Sequence, residues 1–179
     1  MAALGPCLNT SMAQTAFMRP TTVTQTAGTD TVSWQLEGAT PWSRDGNRCG
    51  TTQPLRANNL GAGLADQKST HMLLWSGWNT AEVTGTITGI SVRVYAEKNR
   101  VRDQLVQLYL DGSLIGSNRA TEAAGGEHVY GGDADMWGTQ LTTAQLPRIK
   151  VALIYQSGSM PHRDIAYVDT VQLQVNYTA

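Results

Sequence analysis

From Ile90 onward, apolar side chains recur at every second position: Ile90, Val92, Val94 and Ala96, then Val106, Leu108 and Leu110, then Val151, Leu153 and Tyr155, and finally Val171, Leu173, Val175 and Tyr177. Period two is the repeat of a strand with one buried and one wet face, and Ser91, Arg93, Gln107, Gln172 and Gln174 supply the wet positions. No helical period is sustained anywhere. Only Thr142–Leu146 reads as a helical turn, stopped by Pro147. Parallel α/β folds need crossover helices and are excluded. Asp111-Gly112, between Leu110 and Leu114-Ile115, signals a tight hairpin because glycine accepts positive φ, so a third strand is expected over Ser113–Ala120. Upstream, Thr31–Glu37 alternates with Val32, Trp34 and Leu36 on one face, Thr70–Trp78 reads as a mostly apolar strand, and Val83 begins another. Roughly seven to nine short strands with frequent turn signals predict an all-β fold, an antiparallel β-sandwich.

A chain of 179 residues is one domain, or one domain with an arm, and is long enough to bury a self-sufficient core. Residues 1–30 show neither period and carry Thr21, Thr22, Thr24, Thr26 and Thr29, so they read as an extended N-terminal arm ahead of a sandwich domain over residues 31–179. Such an arm is expected either to lie along its own domain or to be held by a partner, with Thr21–Thr29 adding a strand to an adjacent subunit. Gly38–Leu64, rich in Gly, Pro, Asn and Arg, reads as a long irregular loop in which Trp42 is the aromatic side chain best placed for an exposed contact.

Charged residues make up only 15% of the chain and the net charge is -1. There is no basic excess to neutralise a phosphate backbone, so nucleic acid is not an expected partner. No apolar stretch approaches the roughly 18–20 residues of a membrane span, and Met1–Pro20 lacks a basic head followed by an apolar run, so neither anchor nor secretion signal is expected. Cys7 and Cys49 read as free thiols; the alternative is a bridge tying the N-terminal segment to the body, which a free-thiol count decides. His71, His128 and His162 lack the spacing of a metal site, and no Gly-x-Ser-x-Gly elbow is present, so no cofactor, metal or catalytic group is assigned. The acids Glu122, Glu127, Asp133 and Asp135 read as turn chemistry before calcium ligands or a glycosidase pair. Trp34 and Trp75 read as core, and Trp137 as a corner anchor. Lys98, Arg100, Arg102 and Asp103 read as a solvated hairpin tip.

Four segments carry a resemblance. Thr88-Gly89-Ile90-Ser91-Val92-Arg93-Val94, Val106–Gly112, Val129-Tyr130-Gly131-Gly132-Asp133-Ala134-Asp135-Met136-Trp137-Gly138 with Leu141-Thr142, and Tyr167-Val168-Asp169-Thr170-Val171-Gln172-Leu173-Gln174-Val175-Asn176-Tyr177 are similar to β-sandwich modules of tailed-bacteriophage virion proteins. The similarity runs from about Thr70 to Tyr177; the link from Leu146 to Ile149 is only Pro147-Arg148, where such modules often carry a longer stretch. It implies a jelly-roll-like sandwich and a structural protein, with Gly131, Gly132, Asp135 and Trp137 as a structural corner. Within that group the expected role is a capsid decoration or cement protein on the outer capsid surface, bridging neighbouring subunits of the major capsid protein and self-associating, preferably as a trimer. The arm residues Phe17, Thr21, Thr22, Val23 and Thr24 are the expected contacts. The alternatives are a head, neck or tail fibre or receptor-binding module touching host glycan through Trp42, and a carbohydrate-active enzyme using the Glu127–Asp135 acids.

Overall fold

The computed structural model describes residues 11–36, 55–60, 68–99, 101–123, 125–158 and 164–179. Among these the strands are β1 (Met12–Gln14), β2 (Thr22–Thr26), β3 (Thr31–Val32), β4 (Trp34–Leu36), β5 (Leu55–Leu60), β6 (Ser69–Thr70), β7 (Met72–Ser76), β8 (Thr86–Asn99), β9 (Val101–Leu110), β10 (Ser113–Ile115), β11 (Gly126–Gly131), β12 (Lys150–Ser157) and β13 (Asp164–Thr178). Sheet I runs β11-β8-β13-β5-β4, with β1 also on β13; sheet II runs β10-β9-β12-β6-β3, with β7 on β12 and β2 on β7. The pairings are antiparallel except for the short β3–β6 contact, which is parallel. From β8 onward the chain passes repeatedly between the sheets, so the fold is the expected all-β sandwich.

The alternating residues meet in one core. Ile90, Val92 and Val94 of β8 and Val171, Leu173 and Val175 of β13 are buried, as are Val106 and Leu108 of β9 and Val151, Leu153 and Tyr155 of β12. Trp34 and Trp75 are buried there as the alternation predicts, and Trp78 joins them, its indole donating to the Ile149 carbonyl at 3.0 Å. Asp111 (φ 48) and Gly112 (φ 91) both take positive φ, the requirement of a two-residue hairpin turn whose twist matches its strands.

Several elements depart from the sequence reading. The strand expected over Thr31–Glu37 breaks at Ser33, with β3 pairing with β6 in sheet II and β4 with β5 in sheet I. Leu55–Leu60, read as loop, is a strand because β13 offers it a ladder that its polar composition does not advertise. The strand after the hairpin ends at Ile115 because Gly116 turns (φ 68) beneath the Trp137 carbonyl. The helical turn falls at Leu146–Arg148, not Thr142–Leu146: proline is tolerated at a helix start, so Pro147 belongs to the turn it was expected to end.

Asp103 is also not at a solvated tip. A β-bulge between Ile154 and Tyr155 shifts the β9–β12 register. Leu105, Gln107 and Tyr109 share the outer face, yet after the shift Asp103 turns inward, where it is 1% exposed. Its carboxylate accepts from the Tyr130 hydroxyl and the Thr121 N–H, both at 3.0 Å. Burial, with the neighbouring Asp103 charge, pushes the Tyr130 hydroxyl well above the usual phenol range; burial does the same to Tyr155. Both phenols stay neutral in the folded state but ionise near pH 10 once unfolded, so their stabilising term is complete below pH 10 and is lost as pH rises beyond it. Alkaline unfolding is therefore expected to begin just above pH 10, with Tyr130→Phe weakening that pH dependence. Absorbance at the phenolate band, recorded beside circular dichroism, checks this; ionisation of all tyrosines before any loss of structure contradicts it.

Candidate interaction surface

The N-terminal arm is extended, but it adds to its own sandwich. Met12, Ala13 and Gln14 pair with Thr178, Tyr177 and Asn176. The Thr15 N–H donates to the Val175 carbonyl at 2.9 Å, while the Val175 N–H donates to the Thr15 hydroxyl at 3.0 Å. Met18 and Leu173 then exchange backbone bonds of 2.7 and 3.0 Å. The chain crosses at buried Pro20 to the other sheet, where Thr22–Thr26 pairs with Ser76–Met72 of the same chain. Gln25 closes the side, its amide donating to the Trp34 carbonyl (3.0 Å) and its oxygen accepting the Trp34 N–H (2.9 Å). Of the two expectations for the arm, the structure shows it laid along its own domain, with β1 and β2 pairing in cis.

This arrangement sorts the arm residues. Val23 is buried in the core and has no surface to offer a partner. Phe17 is half-buried, its ring 4.0 Å from the Arg93 guanidinium, which also donates to Gln172. Thr21, Thr22 and Thr24 are exposed. Gly77 makes the close approach feasible: its φ is 83°, and a Cβ there would lie 1.8 Å from the Thr21 hydroxyl. Strand β2 pairs only with β7 among the described residues and is an edge strand of sheet II.

The corner residues meet at one carbonyl on the opposite side of the sandwich. The Ile90 oxygen accepts from the Gly132 N–H at 3.1 Å and from the Trp137 indole at 2.9 Å, and the Ile90 N–H donates to Asp135 O at 3.0 Å. Asp135 Oδ1 accepts from the Trp137 N–H (2.7 Å) and from Arg119 (2.6 Å). Asp135 therefore holds the turn that puts Trp137 in the core. Gly131 has φ 79, and a Cβ there would sit 2.2 Å from the Ile90 oxygen; Gly132 has open space around it and needs no glycine for room. Gly131→Ala is expected to cost about 2–4 kcal/mol, since left-handed strain and a backbone clash combine, whereas Gly132→Ala costs less than about 1 kcal/mol. Urea denaturation of both variants checks the contrast; equal costs contradict it.

The face of sheet II turned away from the core was not marked by any pattern in the sequence. Thr24, Leu74, Ala152 and Gln107 are successive cross-strand partners from β2 to β9, so they form one row on one face, with Thr24 exposed, Gln107 half-buried, and Leu74 and Ala152 buried. Thr22 with Ser76, and Lys150 with Tyr109 and Leu114, extend it. At its end, beside the Asp111-Gly112 turn, lies an open cleft of about 430 Å³ lined by Leu74, Ser76, Tyr109, Asp111, Arg148 and Lys150. These residues come from three distant stretches of chain. Only the Asp-Gly turn signal marks the place in sequence.

The remaining candidates do not gather. Trp42, Cys7, Cys49 and His162 lie outside the described residues, and the side chain of Asp169 does also. Glu122 pairs with Arg102 at 2.7 Å on the surface, and Glu127 and Asp133 are exposed. Among the described residues no group of three His, Cys, Asp or Glu side chains is placed to hold a metal ion, and no helix is long and apolar enough to cross a membrane.

No family model matches the chain, and no curated protein matches it. Among solved structures it is similar to the enzymatically active domain of tailspike protein 4 of bacteriophage CBA120, at a TM-score of 0.41 and 12% identity over 93% of this chain; it spans 19% of the length of that tailspike chain.

Proposed function

We propose that this chain is a structural protein of a phage virion, and specifically a capsid decoration protein that ties neighbouring capsid subunits together from outside the head. The observation that carries the reading is the arm. It is strapped across both sheets in cis and leaves Thr22–Thr26 as an edge strand with exposed hydroxyl side chains. Edge strands recruit extended segments of other chains through their free backbone groups. Residues of low charge reach such a contact without a large desolvation cost. The segments similar to phage sandwich modules occupy β8 and β13, the central pair of sheet I, the second half of β9 with its Asp111-Gly112 turn in sheet II, and the Trp137 corner.

In this reading a strand of the major capsid protein adds to β2 beside Thr21, Phe17 offers a separate contact on sheet I, and several such weak contacts hold by avidity. The test uses capsids lacking this protein. Purified chain is expected to bind them at many sites, and Thr22→Lys/Thr24→Lys, which changes two exposed positions and blunts the edge, is expected to weaken binding at least about tenfold with an unchanged melting temperature. Undiminished binding by the double variant contradicts docking at this edge.

A further inference from the structure

We propose that the cleft beside the Asp111-Gly112 turn binds an acidic sugar, a saccharide unit bearing a carboxylate. Its volume of about 430 Å³ lies within the range of small-ligand clefts and suits one or two sugar rings. Three features point to this chemistry. Tyr109 stands in the outer row between Lys150 and Leu114, only partly buried, and supplies an aromatic surface for the C–H face of a pyranose. Asp111 and Ser76 bring oxygen acceptors that hydroxyl groups satisfy. Arg148 lies 3.3 Å from Asp111, both about half exposed, and Lys150 has no ion-pair partner among the described residues. Two cations against one carboxylate leave one positive charge uncompensated, which a single ligand carboxylate neutralises. The Asp111 carboxylate in the wall disfavours a bare phosphate or sulfate and favours a ligand that combines hydroxyl donors with one negative charge.

The cleft opens on the face of sheet II, whereas a strand added at β2 extends that sheet in its own plane. Sugar binding therefore does not depend on the docking reading, and the two fail separately.

The experiment is a titration of the full chain, followed by ligand-observed NMR, with a glucuronate-containing tetrasaccharide and with its carboxyl-reduced neutral counterpart. Binding in the millimolar range is expected for the acidic sugar, at least about tenfold weaker for the neutral one. Lys150→Gln is expected to remove the preference for the acid, and Tyr109→Ala to abolish binding of both, each with an unchanged melting temperature. Added salt weakens the acidic sugar selectively, because these charges are solvent-exposed. No binding at about 10 mM, equal binding of the two sugars, or displacement by an equal concentration of inorganic phosphate overturns the proposal. A Lys150→Gln variant that keeps the full preference also overturns it.

Discussion

Trp137→Ala is expected to lower stability by about 3–5 kcal/mol, the range for emptying a buried aromatic site. The side chain is fully buried, and its indole donates to the Ile90 carbonyl in the middle of sheet I. It also sits at φ 58, a conformation that a non-glycine residue holds only when its surroundings fix it. Those surroundings are the Asp135 carboxylate on its N–H and the Ser117 N–H on its carbonyl at 2.6 Å. Removing the ring leaves a cavity between the sheets at the β10–β11 side, which backbone held by these bonds cannot readily collapse to fill. For a domain of this size each kcal/mol lowers the melting temperature by about 2–4 °C, so a fall of about 6–20 °C is expected. Trp137→Phe keeps most of the volume and loses the indole bond, and is expected to cost clearly less. A thermal melt of the two variants decides: a fall of under about 2 °C for Trp137→Ala contradicts an anchoring role.

Deleting residues 1–27 is expected to do still more damage. The deletion removes β1 and β2 and with them the buried Thr15, Pro20 and Val23. It bares the ladder edge of β7, whose residues Leu73, Leu74 and Trp75 are buried in the intact chain, and half of the free edge of β13. Long apolar edges of this kind pair with other copies. The truncated chain is therefore expected to aggregate or to lose its cooperative melt. Val23→Asp gives a graded version: it puts a carboxylate into the core and is expected to cost about 3 kcal/mol or more. A truncated chain that stays monomeric with an unchanged melting temperature contradicts the strap, and so does a Val23→Asp variant of native stability.

The sandwich was legible because apolar and polar residues alternate along Ile90–Ala96, Val106–Leu110 and Val171–Tyr177, although Ser91, Gln172 and Asn176, expected on the wet face, are themselves buried. The hairpin was legible for a similar reason: Asp111-Gly112 carries its backbone requirement in its own residue types. What escaped was set by tertiary partners. Nothing in Leu55–Leu60 announces a strand until β13 pairs with it, and Thr22–Thr26 was readable as an extended strand-adding segment but not as a partner of β7 in its own chain. Asp103 looked solvated because alternation assumes an unbroken pleat, and one bulge in register reversed its face. The Trp137 corner was readable as a corner, but not its focus on the Ile90 carbonyl, which joins residues 47 apart in sequence. The cleft left even less trace, since Ser76, Tyr109 and Lys150 become neighbours only across the strands of sheet II.

The most direct test of the decoration reading is electron cryomicroscopy of intact particles, combined with quantitative mass spectrometry for copy number. The reading predicts hundreds of copies over the outer surface of the head, each with the Thr22–Thr26 edge against an extended segment of the capsid protein. A dozen or fewer copies confined to the tail or a vertex, or a head-bound chain whose Thr22–Thr26 edge faces solvent, would contradict it.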